Sequence, residues 1–168
     1  MPDTQGEAPT GARALLALLA FALAVAVAAA IGGLASSSAG DVYGQLTQPA
    51  WAPPSWLFSP VWTVLYVLIA VAGWFVWRRE GVSGARVAMT LFVVQLVLNA
   101  AWPPLFFAAE MRLVAFIDII ALLAVITAMI AAFARISRTA TALMVPYWVW
   151  VAYASALNFS LWQLNSGG

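Results

Sequence analysis

Five apolar stretches, each close to the length that crosses a lipid bilayer, dominate this 168-residue chain. A helix rising about 1.5 Å per residue needs about 20 such residues to traverse roughly 30 Å of hydrocarbon. The stretches run from about 14 to 35, 60 to 77, 85 to 108, 113 to 134 and 140 to 161. With 65% hydrophobic and only 8% charged residues, the chain falls far below the roughly 25% charge of a water-soluble domain. The expected fold is therefore all-α: an integral membrane bundle of five transmembrane helices over residues 13–165, with a polar N-terminal segment at 1–12.

Helix breakers fit this division. Pro60 suits a first helical turn, where its missing N–H costs nothing. Gly81 and Gly84 separate the second and third stretches, and Pro103 and Pro104 fall near the end of the third. Pro146 lies inside the fifth, where a bend is expected. Ala20, Ala24, Ala28 and Gly32 form a small-residue stripe at i+4 spacing on the first. Such a stripe lets backbones approach closely in lipid, and an alanine-rich genome also produces one.

Arginine placement gives an orientation. Arg13 precedes the first stretch, Arg78, Arg79 and Arg86 flank the second connection, and Arg135 and Arg138 the fourth. Arg112 is the exception, and the long first connection, 36–59, has none. The positive-inside rule then puts the N-terminus in the cytoplasm and the C-terminus outside. A cleaved secretory signal ending near Ser37-Ser38-Ala39 is the rival reading, but the first apolar run exceeds the usual 7–15 residues.

What the sequence lacks bounds the chemistry. Without lysine, and at net charge +1, there is no cationic stripe of the kind that neutralises nucleic-acid phosphates. Without cysteine there is no disulfide, thiol nucleophile or thiolate metal site. Without histidine the usual general base, the commonest metal ligand and the commonest axial haem ligand are missing. Neither a metal site nor a resident cofactor is expected.

Nine tryptophans remain to be placed. Trp51, Trp56, Trp74, Trp77 and Trp162 lie near span ends or in the first connection, where indoles anchor at headgroup depth. Others share helix faces with amides. Trp62 and Tyr66 are i, i+4 on the second stretch. Gln95, Asn99 and Trp102 are i, i+4, i+7 on the third, and Tyr147, Trp150, Ala154 and Asn158 line one face of the fifth. Amides are costly against lipid, so Gln95, Asn99 and Asn158 are expected to point inward with their aromatic neighbours. Two outcomes fit: a cavity walled by indole and phenol rings, suited to a flat apolar ligand, or amides that clamp helices while rings fill the core. Asp118 is the one acid well inside a span, either functional or a neutral partner to another helix.

Three motifs carry a resemblance. Trp51-Ala-Pro-Pro-Ser-Trp56 with Pro60-Val-Trp62 and Leu65-Tyr66 is the first. Gln95-Leu-Val-Leu-Asn99-Ala-Ala-Trp102-Pro-Pro-Leu-Phe-Phe107 is the second, and Pro146-Tyr147-Trp-Val-Trp150 with Leu157-Asn158-Phe159 the third. Together, over about residues 14–165, they resemble the tryptophan-rich sensory protein and translocator protein (peripheral benzodiazepine receptor) family. The resemblance implies a bacterial member in the cell membrane, a five-helix bundle, commonly a homodimer, with the first span retained. It implies ligands such as protoporphyrin IX and haem, sterols in mitochondrial members, and benzodiazepine-type compounds. It implies ligand-binding positions at Tyr43, Trp62, Tyr66, Asn99, Trp102, Tyr147, Trp150 and Ala154. It further implies that Trp62 and Trp150 are the catalytic pair for light-dependent porphyrin breakdown.

Two departures qualify it. No basic residue follows Arg138, so the sterol-recognition pattern is incomplete. The third stretch has no clear small-xxx-small stripe to mark a dimer surface. The expected function is tetrapyrrole binding in a stress response, with photochemical turnover; a carrier of porphyrins or apolar lipids, or a ligand-sensing regulatory membrane protein, are the alternatives. The missing histidine and cysteine favour metal-free porphyrin over haem.

Overall fold

The computed structural model describes residues 11–166. The polar segment expected at 1–12 lies, except for its last two residues, outside the described residues. Five long helices carry the fold: α1 (Gly11–Ala35), α3 (Phe58–Gly84), α4 (Arg86–Pro103), α5 (Arg112–Ala134) and α6 (Arg138–Leu164). A short helix, α2 (Ala39–Gln45), interrupts the first connection, and a single 3-10 turn, Ser55–Leu57, leads into α3. With its extension to Ala108, α4 joins the other four in being long and apolar enough to cross a membrane. The chain is an integral membrane helical protein.

The helices close a ring. α1 packs on α3 and α4, α3 on α6, α6 on α5, and α5 on α4. The spatial order is thus α1–α3–α6–α5–α4. Burial is reserved for one stripe per helix: Leu65, Ile69, Ala72 and Val76 on α3, and Ile119, Leu122, Ile126, Met129 and Phe133 on α5. The opposite faces carry exposed Leu and Val, such as Leu19, Leu23, Val93 and Val97, which is what a lipid-facing surface requires.

On α1 the buried seam is Val25, Ala28 and Gly32, whereas Ala20 and Ala24 are exposed. Only half of the small-residue stripe is therefore used. Gly73 on α3 marks the closest approach: a Cβ there would lie 2.7 Å from the Phe92 ring and 2.9 Å from that of Phe21. Those two rings meet edge-on, with centroids 5.2 Å apart, so α1, α3 and α4 converge on a residue with no side chain.

The breakers act locally. Gly81, at φ 63° and ψ −175°, kinks the end of α3 in a conformation open only to glycine. Pro103 and Pro104 supply no N–H, and the chain answers with a π-helical turn, Pro104–Ala108, in which Ala109 N–H donates to the Pro104 carbonyl at 2.8 Å. α6 runs through Pro146 as one helix.

Candidate ligand-binding site

Between α1, α3, α4 and the first connection lies a cavity of about 550 Å³. Its walls follow from the ring order. α1 contributes only small residues, Ala29, Gly32 and Gly33, which leave room, and Ser36 follows just past its end. α3 contributes Phe58, Trp62 and Tyr66, and α4 contributes Asn99, Trp102 and Pro103. α2 and the 3-10 turn roof it with Tyr43, Ser55 and Trp56. Ile119 and Leu122 of α5 and Val151 of α6 complete the wall. No charged side chain lines it.

Of the eight ligand positions expected from sequence, Tyr43, Trp62, Tyr66, Asn99 and Trp102 are on the cavity wall. Tyr147, Trp150 and Ala154 are not, and each stands behind a wall residue or beside one. Tyr147 is fully buried, with its ring edge-on to Trp62 at 6.3 Å between centroids. Trp150 packs against Phe58 at 6.0 Å, and its buried indole N–H has no partner among the described residues. Ala154 is 9% exposed, one turn beyond Trp150.

A hydrogen-bond chain fixes the polar end. Tyr66 donates its hydroxyl proton to Asn99 Oδ1 at 3.0 Å. Asn99 Nδ2 donates to the Tyr147 hydroxyl oxygen at 2.9 Å, and Tyr147 donates to Gln95 Oε1 at 2.9 Å. The chain links α3, α4 and α6. A second one starts at the cavity wall: Trp102 Nε1 donates to Asn158 Oδ1, and Asn158 Nδ2 to the Arg112 carbonyl, both at 3.0 Å. Gln95, Asn99 and Asn158 are all buried, as the cost of amides in lipid demands. Tyr66, Asn99 and Trp102 thus both clamp helices and wall the cavity, while Gln95, Tyr147 and Asn158 clamp from behind it.

The roof is held to the bundle at several points. Tyr43 donates its hydroxyl proton to the Pro53 carbonyl at 3.0 Å, and Tyr153 of α6 donates to that of Trp51 at 3.1 Å. Asn165 pairs with both backbone groups of Thr47, each at 3.0 Å. Burial, and secondarily the nearby Tyr153 phenol, push the Tyr43 phenol up to about 12.

The sequence model of the TspO/MBR family matches residues 20–163. The chain belongs to this family. The Tryptophan-rich protein TspO of Chlorobaculum tepidum is 38% identical over 156 residues, covering 88% of this chain and 97% of the relative. The Translocator protein of Homo sapiens is 35% identical over 127 residues, 74% of this chain and 75% of the relative. The Tryptophan-rich sensory protein of Cereibacter sphaeroides is 34% identical over 149 residues, 86% and 92%. The family match spans all three motifs that carried the resemblance.

Several wall residues had no signal in the sequence reading. Ile119, Leu122 and Val151 are ordinary apolar residues, and only the packing of α5 and α6 assigns them to the cavity. Trp56, read as an interfacial anchor, is 70% exposed yet also borders the cavity. Ser55, Ser59 and Thr63 were not singled out either, although they recur at i+4 spacing through the 3-10 turn and the first turns of α3.

Proposed function

We propose that this protein binds a tetrapyrrole of the protoporphyrin IX type in this cavity, in a stress response. The observation that carries the reading is an uncharged cavity of about 550 Å³ walled by the rings of Tyr43, Trp62, Tyr66 and Trp102. That volume lies inside the range of small-molecule sites, about 300–1,000 Å³. Indole and phenol faces stack on a flat macrocycle, each pair adding about 0.5–1.5 kcal/mol beyond the area it buries. The absence of histidine and cysteine leaves no strong axial ligand for iron, so the metal-free porphyrin is the better fit.

The catalytic part of the proposal is light-dependent degradation. The bound porphyrin absorbs light and passes an electron to dissolved dioxygen, and Trp62, on the cavity wall, returns an electron to the oxidised macrocycle or traps the reduced oxygen species. Trp150, one ring further out behind Phe58, serves as a second donor. No acid–base dyad or nucleophile is needed for this chemistry, and no charged group lines the cavity.

The same proposal sets the protein in a bacterial cell membrane with Arg13, Arg78, Arg79, Arg86, Arg135 and Arg138 at the cytoplasmic end. The cavity roof then faces outward, the C-terminus is outside, and two copies pair as a homodimer. A protoporphyrin IX titration of purified protein tests the core of it: tryptophan quenching in the dark, then absorbance under illumination. Saturable quenching followed by loss of the porphyrin spectrum is expected. Binding without spectral loss leaves a carrier or sensor, and no saturable quenching overturns the reading.

A further inference from the structure

The cavity wall bears six hydroxyls, on Ser36, Tyr43, Ser55, Ser59, Thr63 and Tyr66. Three have their proton engaged inside the protein. Tyr43 donates to the Pro53 carbonyl, Thr63 to the Ser59 carbonyl and Tyr66 to Asn99. Ser36, Ser55 and Ser59 make no side-chain hydrogen bond among the described residues. All three belong to the roofed end: Ser36 follows the last turn of α1, Ser55 opens the 3-10 turn that leads into α3, and Ser59 lies in the first turn of α3. Ser55 and Ser59 are exposed and Ser36 is half-buried, and all three border the first connection, outside the apolar stretches 14–35 and 60–77, where water is expected. The part of the wall that α5 and α6 supply is apolar, with Ile119, Leu122 and Val151. The cavity therefore has a hydroxyl-bearing part and an apolar part, although no charged side chain lines it.

We infer that Ser36, Ser55 and Ser59 form a carboxylate-anchoring subsite that sets the orientation of an amphipathic macrocycle, its acid groups at the roof and its apolar edge against α5. This rests on the tetrapyrrole reading above. An ionised carboxylate cannot be buried without compensation, which costs several kcal/mol. The wall has no arginine or lysine to supply a counter-charge. The deep polar groups, Tyr66 and Asn99, already have each other. The acid groups must then lie where free donors and water coincide, and only the three serines among the wall hydroxyls meet that condition. Ser36, Ser55 and Ser59 are specificity-determining positions, not catalytic ones.

Comparing protoporphyrin IX with its uncharged dimethyl ester isolates this subsite. Full-length protein in lipid nanodiscs is titrated with each, as wild type, as the Ser55→Ala/Ser59→Ala double variant and as Ser59→Asp. Both serines are exposed, so a thermal melt is expected to stay unchanged, and the alanine pair keeps the test if the aspartate variant does not fold. For the free acid, affinity should fall about tenfold in the alanine pair, the scale of losing charge-assisted hydrogen bonds at a wet site. Ser59→Asp should weaken it further by repulsion. The ester should bind all three proteins alike. An equal loss for acid and ester, or no loss for the acid, overturns the subsite while leaving tetrapyrrole binding intact. Wild-type protein that binds neither compound overturns both.

Discussion

The Tyr147 hydroxyl donates to Gln95 Oε1 at 2.9 Å, and neither residue has any surface open to solvent. Tyr147 simultaneously accepts from Asn99 Nδ2, so one phenol oxygen joins α4 to α6 directly behind the cavity wall. Replacing Tyr147 by Phe removes the donor to Gln95 and the acceptor for Asn99. Leaving buried groups unpaired costs about 1–3 kcal/mol. The thermal midpoint in detergent should drop, and the Gln95→Leu/Tyr147→Phe double variant should lose less than the sum of the single changes.

The two tryptophans of the photochemical proposal should separate in experiment. Trp62 lines the cavity and Trp150 stands behind Phe58. Trp62→Phe is expected to weaken dark porphyrin binding several-fold, consistent with about 0.5–1.5 kcal/mol per aromatic pair, and to abolish photoproduct. Trp150→Phe should leave dark affinity near wild type and still lower photoproduct yield. Unchanged yield in both variants would remove Trp62 and Trp150 from the mechanism.

Gly73 gives a packing test. Its missing Cβ leaves room for the rings of Phe21 and Phe92, at 2.9 and 2.7 Å from where that carbon would sit. Gly73→Ala must push apart rings on two other helices, an overpacking cost of about 1–3 kcal/mol. Lower thermal stability is expected, with Gly73→Ala/Phe21→Leu recovering part of it.

The cavity roof should respond to alkali. Burial raises the Tyr43 phenol from its ordinary value of 10.0 to about 12. A neutral group with a raised folded-state pKa contributes its full stability below about pH 10 and loses it as pH climbs through about 12, because the unfolded phenol ionises first. Hydrogen exchange of the 43–53 segment should therefore accelerate between those values, and Tyr43→Phe should flatten that dependence.

The Asn165 clamp on Thr47 can be cut separately. Asn165→Ala removes the pair of 3.0 Å bonds that tie the first connection to the end of α6. Faster exchange at residues 46–52 and a shorter ligand residence time are expected, measured by stopped-flow quenching. Unaltered exchange there would show that the roof's other ties, the Tyr153 bond to Trp51 and the Tyr43–Phe58 contact, hold it without Asn165.

How far the sequence reaches is clear from particular residues. The five helices follow from apolar length alone, because lipid tolerates no other use of such stretches. The inward placement of Gln95, Asn99 and Asn158 follows from the cost of exposing an amide to hydrocarbon. Helical periodicity puts Tyr147, Trp150 and Ala154 on one face, but it cannot say whether that face meets a cavity or a neighbour; here the rings of Trp62 and Phe58 stand in between. α2 left no apolar signature, since Gly40 and Gly44 make it a weak helix whose stability depends on Tyr43 being buried. The small-residue stripe of α1 misjudged its own register, because the ring closes on Val25, Ala28 and Gly32 and turns Ala20 and Ala24 outward.

The ring order has a consequence for how the molecule is built. α1 is made before the other four helices, yet the helices it packs against, α3 and α4, both follow it along the chain. While the ribosome is still producing them, α1 lacks the surfaces of α3 and α4 that later cover its seam. Its composition suits that wait: Leu, Ala and Val surround it on nearly every side, and only Val25, Ala28 and Gly32 are fully enclosed at the end. The helix that completes the ring is thus one that lipid alone can support until its neighbours arrive.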